Sequence, residues 1–435
     1  MPRSTTSYDI VILGGGPGGV ATALKLKQRD SSLNILIVEK SNYGKFRIGE
    51  SLPPGTKAIL EEIDAWETFQ KLQARPAFGI ESSWGRDTVS TNDFLFYARG
   101  HGWTVDRAAF DHQLAELAQK RGISLTLDTR IHQSEQTTGG RWTLKLQSKS
   151  TVTLIEAGFI VDATGRSASF ARSQGAQPVL FDHLVGIHGI FPSEKISPTF
   201  IEAFETGWWY STSLPNGKRL VTGFTDSDLA QKLKESWPVP KQTQQTYQHS
   251  SAQPQFKTSP AHTQRLDFVA GKNWLATGDA ASTYDPLSSQ GIFKGLRSGI
   301  FAAYSILGGR DDRAKYERFI TDEFEGYLET RAEFYATELR WPKSPFWQRR
   351  LNKIDLNPHA LLTSIPNAPT TKPRQLTPLQ IQHARDLCME PTPAHRIASN
   401  LQQKHPSLSI NRIILGLQHL LQSGLLQSQH TNITC

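Results

Sequence analysis

Gly14, Gly16 and Gly19 stand in the spacing G-x-G-x-x-G, which suits the binding of a dinucleotide pyrophosphate. Gly14 allows a tight turn, Gly16 lets the backbone approach the phosphates, and Gly19 lets a helix pack closely on a sheet. The amino end of that helix, opened by Pro17, attracts the anion. Glu39, with Lys40 beside it, lies about 20 residues beyond Gly19, where an acid holds a ribose hydroxyl. A second polar constellation comes late. Gly278 lets the backbone pass a ligand closely, and Asp279 can accept hydrogen bonds from a polyol chain. Pro286 and Ser289 then precede Gly291, which opens a helix whose amino end favours negative charge. NAD carries no polyol, whereas FAD carries ribitol, so the dinucleotide expected is FAD.

The elements that position these residues follow from the apolar pattern. Tyr8 to Leu13 and Ile35 to Val38 read as strands around a helix, a β-α-β unit. The expected fold is α/β, a Rossmann-type FAD-binding domain interleaved with an antiparallel β-sheet substrate domain. Residues 1–75, 100–172 and 263–350 are assigned to the first, and residues 76–99 and 173–262 to the second. Trp208-Trp209-Tyr210 and Arg219 to Phe224 flank Pro215-Asn216-Gly217, a hairpin signal. Pro238 to Pro260, rich in Gln, Ser and Pro, reads as a loop or lid. Asp312 to Leu328 and Ala332 to Arg340 read as two helices. Residues 351–378 read as a linker. Residues 379–435 show three helical segments and a Gly-Leu-Leu close, the order of a small winged-helix-like domain.

Four separated segments resemble those of the FAD-dependent aromatic hydroxylases and flavin halogenases. They are the glycine turn, Val105-Asp106-Arg107-Ala108-Ala109-Phe110-Asp111, Asp162-Ala163-Thr164-Gly165-Arg166 and Thr277-Gly278-Asp279-Ala280. The resemblance implies FAD as cofactor, with Arg107 along its phosphate and ribityl side. Arg47-Ile48-Gly49-Glu50-Ser51-Leu52-Pro53-Pro54 resembles the turn near the isoalloxazine in the halogenase branch, which places Arg47, Glu50 and Ser51 at the cofactor. Two departures argue against halogenation. Arg75-Pro76-Ala77-Phe78-Gly79 offers no lysine of the kind the halogenases use after this region, the nearest being Lys71, and Trp208-x-Tyr210 leads to Thr-Ser-Leu-Pro instead of Trp-x-Trp-x-Ile-Pro. The Glu-Ser-Leu-Pro-Pro turn, the Trp-Trp-Tyr-Ser strand and the Arg340-Trp341-Pro342 to Phe346-Trp347 segment are similar to a small group of flavoproteins. These hydroxylate a peptidyl tryptophan during maturation of quinohemoprotein amine dehydrogenase. That resemblance implies a C4a-hydroperoxyflavin, O2, a partner peptide or protein with an accessible tryptophan, and electrons from NAD(P)H or a separate flavin reductase.

Such chemistry needs a dry chamber and often a base. His188, on a strand between Gly186 and Gly189, is the leading candidate base. Trp208 and Tyr210 are candidate chamber residues, because adjacent aromatics on a strand face opposite sides of the sheet. His183, Asp226, Glu202 and Glu205 have weaker claims, and Ser288 is a candidate for the floor. A geranylgeranyl-reductase-like flavin reductase and a non-catalytic escort are the competing readings. The net charge of +8 suits an acidic partner, but no motif supports nucleic acid. No apolar run reaches membrane-spanning length and no signal-peptide layout is present, so no membrane contact and a cytoplasmic location are expected. With 2 cysteines, neither in a metal spacing, no disulfide or metal is expected.

Overall fold

The computed structural model describes residues 6–94, 100–149, 151–193, 197–236, 239–245, 256–351, 356–366, 368, 375–406, 408 and 410–429. Ile10-Val11-Ile12-Leu13 is apolar on both faces and buried on both, as a central parallel strand requires. Strand Thr6–Leu13 pairs in parallel with Ile35–Val38 on one side and Thr151–Asp162 on the other. Ser124–Thr126 and Trp274–Ala276 extend the parallel sheet at either end. A hairpin, Thr129–Gln136 and Trp142–Ser148, hangs antiparallel from Thr151–Asp162. Helices Pro17–Arg29 and Gly291–Gly308 cover this sheet and pack directly on each other. Their approach depends on glycine. A Cβ on Gly299 would sit 2.3 Å from the Gly18 carbonyl oxygen, and one on Gly18 would sit 3.2 Å from Gly278 Cα.

The second large sheet has seven strands in the order Lys257–Pro260, Leu184–Pro192, Lys218–Asp226, Gly207–Ser213, Thr199–Phe204, Gly79–Ser83, Ser90–Asp93. It is mixed, because Gly79–Ser83 runs parallel to Thr199–Phe204. That corrects the purely antiparallel expectation. The connection from Ser83 to Thr199 passes through the nucleotide-binding sheet, so no hairpin constrains the direction of that pair. Gly217 takes φ +71 at the turn between Gly207–Ser213 and Lys218–Asp226. The stretch read as a lid carries structure instead. Lys241–Gln244 is a short helix and Lys257–Pro260 is the edge strand. The rest of that stretch, residues 246–255 and Pro238, lies outside the described residues, as do residues 95–99.

The two helices expected after residue 311 are one, Arg310–Ala336. It buries Tyr316, Ile320, Phe324, Tyr327 and Tyr335. The alternation of burial carries it past Gly326, whose cost in a helix is only about 1 kcal/mol. In the expected linker, strand Leu361–Ser364 pairs with Thr392–Pro393 and Leu426–Gln429. The small carboxy-terminal unit therefore starts upstream of residue 379. Its helices Pro378–Leu387, Ala394–Lys404 and Ile410–Gln422 close on Leu362, Ile397, Leu401, Ile413 and Leu417. Arg412, on the third of these helices, is buried in an ion pair with Glu325 of the long helix and lies over Phe181. That face is turned to protein.

Candidate functional site

One continuous cavity of about 1340 Å³ runs from the glycine turn to the seven-stranded sheet. A single small-ligand site usually occupies roughly 300–1,000 Å³, so there is room for a dinucleotide and a second occupant. At one end lie Gly14, Gly16, Pro17, Glu39 and Lys40. Gly14 has φ +115, and a Cβ there would sit 2.1 Å from the Ala163 carbonyl oxygen. Nothing lies within 4 Å of a Cβ built on Gly16. Gly16 also caps helix Pro17–Arg29 with no side-chain hydrogen bond, leaving the first-turn N–H groups for an anion. Gly19 does not line the cavity. Its Cβ would meet the Gly14 carbonyl oxygen at 2.0 Å, so it supports the turn from below.

Glu39 is buried and already engaged. Its Oε2 accepts from Gly15 N–H at 2.8 Å, and its Oε1 accepts from the Ser41 hydroxyl at 2.6 Å and Arg47 at 3.1 Å. Arg47 also donates to Asp111, which accepts from Arg107 Nε at 2.8 Å. Buried Asp111 thus ties the two arginines together. Burial works against the charge on Arg47, but Asp111 and Glu39 more than offset it and hold its pKa above the usual range. Arg47 lines the cavity with Ile48, Gly49, Glu50 and Ser51 while its guanidinium bonds Glu39 and Asp111. Its long side chain reaches back along the loop.

Asp279 and Gly278 line the middle of the cavity. Gly278 has φ +62, and its N–H donates to Ser298 Oγ at 2.9 Å. Lys294 donates to Asp279 Oδ1 at 3.1 Å. Pro286, Ser289 and Gly291 follow on the wall, with Ser289 at φ +50. Helix Gly291–Gly308 has no side-chain amino-terminal cap, so it too offers free N–H groups to the cavity. Ser288 donates to the Asp285 carbonyl at 3.0 Å and does not line the wall. The residues present therefore fit FAD along its length.

The far wall is the seven-stranded sheet. Lys257 pairs with His188, His188 with Thr222, and Thr222 with Tyr210, so one cross-strand row presents four side chains to one face. All four line the cavity, with Gly186 and Phe224 in the next row. A Cβ on Gly186 would sit 2.8 Å from the Phe224 ring, so glycine makes room for that aromatic. His188 is 5% exposed, and its Nδ1 is buried with no hydrogen-bond partner in the structure. Thr222 Oγ1 beside it is in the same condition. Burial, with a smaller contribution from Lys257, lowers the His188 pKa and keeps the imidazole neutral. A buried polar atom left unpaired is costly. Both atoms are closed off from water, so they lie behind the cavity surface and not on it.

Tyr210 bridges the two halves. Its hydroxyl donates to Glu50 Oε1 at 2.7 Å and lies 2.8 Å from Ser51 Oγ. Burial and the Glu50 carboxylate push its pKa well up, so it is a fixed phenol and not a base. Trp208 corrects the expectation of a chamber residue. It shares a face with Tyr210, but it is fully buried beyond the chamber, stacks on Phe224 at 4.1 Å and donates to Tyr335 at 3.0 Å. Helix Arg310–Ala336 and Phe346-Trp347 cover that end of the sheet. Trp209 faces the opposite side, against Leu233.

The weaker base candidates are elsewhere. Asp226 is buried in ion pairs with Arg349 and Arg350. Glu202 accepts from Thr243 on the reverse face of the sheet. His183 and Glu205 are exposed and off the cavity wall. Sequence reasoning missed Thr222, Lys257 and Lys294. Thr222 was recoverable from strand alternation with Tyr210 once the hairpin was placed. Lys257 fell in the presumed lid, and Lys294 read as one more polar residue of a helix.

Fold and cavity together define an FAD-dependent oxidoreductase. Comparison with known proteins agrees, and the chain belongs to the tryptophan halogenase family, which matches residues 9–97 and 89–365. A putative FAD-dependent oxidoreductase, LodB of Marinomonas mediterranea, is 29% identical over 367 residues, covering 79% of this chain and 97% of that protein. Tryptophan 2-halogenase of Chondromyces crocatus is 24% identical, covering 80% and 70%. Among solved structures, the chondrochloren halogenase CndH superposes with a TM-score of 0.72 at 20% identity, covering 97% of this chain and 99% of that one. The peptidyl tryptophan dihydroxylase QhpG, described as essential for tryptophylquinone cofactor biogenesis, gives 0.66 at 20% identity, covering 97% and 100%. These likenesses fix the fold. Among the described residues, no helix is long and apolar enough to cross a membrane, and no cluster of His, Cys, Asp and Glu could hold a metal ion.

Proposed function

We propose that this protein is an FAD-dependent monooxygenase that hydroxylates a tryptophan side chain of a partner peptide or protein during quinone-cofactor biosynthesis. O2 is the oxidant, and NAD(P)H or a separate flavin reductase supplies two electrons. One oxygen atom replaces a ring hydrogen as hydroxyl and the other leaves as water. Bound FAD supplies the oxygen-activating chemistry. The chain supplies the chamber: Phe224 and Tyr210 as wall, and helix Gly291–Gly308 with its free N–H groups at the floor.

The observation that carries this reading is a neutral His188 lining the chamber in one cross-strand row with Thr222 and Tyr210. A ring hydroxyl gained in a first turnover gives such a base a proton to take in a second. The likeness to LodB over most of this chain supports an FAD-dependent oxidoreductase, and the fold shared with the peptidyl tryptophan dihydroxylase QhpG supports the choice of tryptophan. The partner, the tryptophan target and the division into the two domains above belong to this proposal. So does the cytoplasmic location.

Halogenation of an aromatic is the second reading, favoured by the family and by the number of halogenase relatives. Among the described residues, Lys257 presents an amine on the sheet wall of the chamber that could serve it. Lys57 and Lys71, nearer to the Glu-Ser-Leu-Pro-Pro turn, do not line the cavity. Purified protein with FAD, a reductase, candidate tryptophan peptides and chloride or bromide, analysed by mass spectrometry, separates the readings. Hydroxylation adds oxygen that carries isotope from labelled O2. Halogenation adds a halogen isotope pattern, and that product without oxygen incorporation would overturn the proposal.

A further inference from the structure

We infer that Lys294 is a positioning residue for the cofactor: it fixes Asp279 as an oriented acceptor and sets a buried positive charge behind it. Lysine is rarely buried unless paired, yet the Lys294 side chain is only 7% exposed while that of Asp279 is 40% exposed. The pair is therefore asymmetric, with the carboxylate presented to the cavity and the ammonium hidden behind it. Lys294 donates to Asp279 Oδ1 and closely to the Ser282 carbonyl, and lies 5.0 Å from the centre of the Tyr284 ring. Its own hydrogens are thus directed to fixed partners. Asp279 Oδ2 accepts no bond among the described residues.

The helix repeats the arrangement one turn later. Ser298, at i+4, accepts from Gly278 N–H and Thr277 Oγ1. Lys294 and Ser298 therefore grip Asp279 and Gly278, one by side chain and one by backbone. Gly295 and Gly299 let the same face reach helix Pro17–Arg29. Burial alone would push the Asp279 carboxyl up. Lys294, Arg166 and Arg107 together hold it below its ordinary value instead. A structural ion pair would close on itself. This one leaves its acceptor open toward the place where FAD fits.

The test is FAD binding to the apoprotein and the midpoint potential of the bound flavin, for wild type, Lys294→Met, Lys294→Arg and the double variant Asp279→Asn/Lys294→Met. Wild type and Lys294→Arg should bind FAD with affinity independent of pH between about 5 and 8, since the carboxyl stays ionised throughout. Lys294→Met should bind FAD at least about tenfold more weakly at neutral pH and tighten toward acid, as the anionic cofactor favours proton uptake by Asp279. Reduced FAD should lose about ten times more affinity than oxidised FAD, a fall of about 30 mV in the two-electron potential. The double variant should lose the pH dependence, which separates charge from packing and serves if the single variant does not fold. A flat pH profile and unchanged potential in Lys294→Met would overturn the inference. So would a pH dependence that survives in the double variant.

Discussion

Gly299→Ala should abolish tight FAD binding, although position 299 does not line the cavity. The added Cβ would lie 2.3 Å from the Gly18 carbonyl oxygen, 3.0 Å from Ala21 Cβ and 3.1 Å from Thr22 N. A comfortable carbon contact needs about 3.5 Å, so the two helices must part by about 1 Å at their closest approach. Gly16 and Pro17, which begin the phosphate-binding end, lie on the helix that is displaced. A hydrogen bond stretched by 1 Å is effectively lost, and each bond to a charged group contributes about 1.5–3 kcal/mol. Two such bonds to the pyrophosphate amount to at least about 3 kcal/mol, or more than a hundredfold in Kd. The assay is fluorescence titration of apoprotein with FAD. Gly326→Ala is the matched control, because it lies in a helix with nothing within 4 Å of the added Cβ. It should bind FAD normally and gain up to about 1 kcal/mol in helix stability. Gly299→Ala protein that binds FAD within threefold of wild type would show that this helix contact does not set the cofactor site.

His188→Phe should keep FAD but lose about a hundredfold in kcat with a tryptophan peptide; unchanged turnover would remove His188 as the base. The lowered His188 pKa keeps the active neutral form present below about pH 6.5, so activity should fall only as pH drops through that lowered value. Lys257→Gln removes one lowering cause, so the acid limb of the profile should move to higher pH. The move should stay under about one unit, since burial is the larger cause and Lys257 is solvent-screened. A limb that stays in place would show that another group titrates. Trp208→Phe should destabilise the protein by about 2–3 kcal/mol through lost packing and the lost bond to Tyr335, lowering the thermal midpoint without altering the product. A changed product with unchanged stability would return Trp208 to the chamber.

The nucleotide half of the site was legible because its determinants are local. The Gly14 turn, the Pro17 helix start and Glu39 sit within one β-α-β unit, where spacing along the chain is nearly spacing in space. The substrate half was legible only as far as alternation reaches. It put Trp208 and Trp209 on opposite faces, but not which end of the shared face would be covered by Tyr335 and Trp347. Tyr210 and Glu50 are 160 residues apart, and nothing local to either announces their bond. Nothing local to Arg47 announces its partners Glu39 and Asp111, which lie 8 and 64 residues away. The strand Leu361–Ser364 was hidden by the prolines around it, since its pairing partners lie in the tail.

Asp285 sits where the cavity floor begins, and distant residues hold it there. Its carboxylate accepts from Tyr335 at 2.7 Å and Arg331 at 3.2 Å, and its N–H donates to Tyr327 at 2.6 Å. All three belong to helix Arg310–Ala336. The lie of the Pro286–Ser289 segment is consequently governed from outside the cavity, and substitutions along one flank of that helix can retune the reaction chamber while every residue that lines it stays the same.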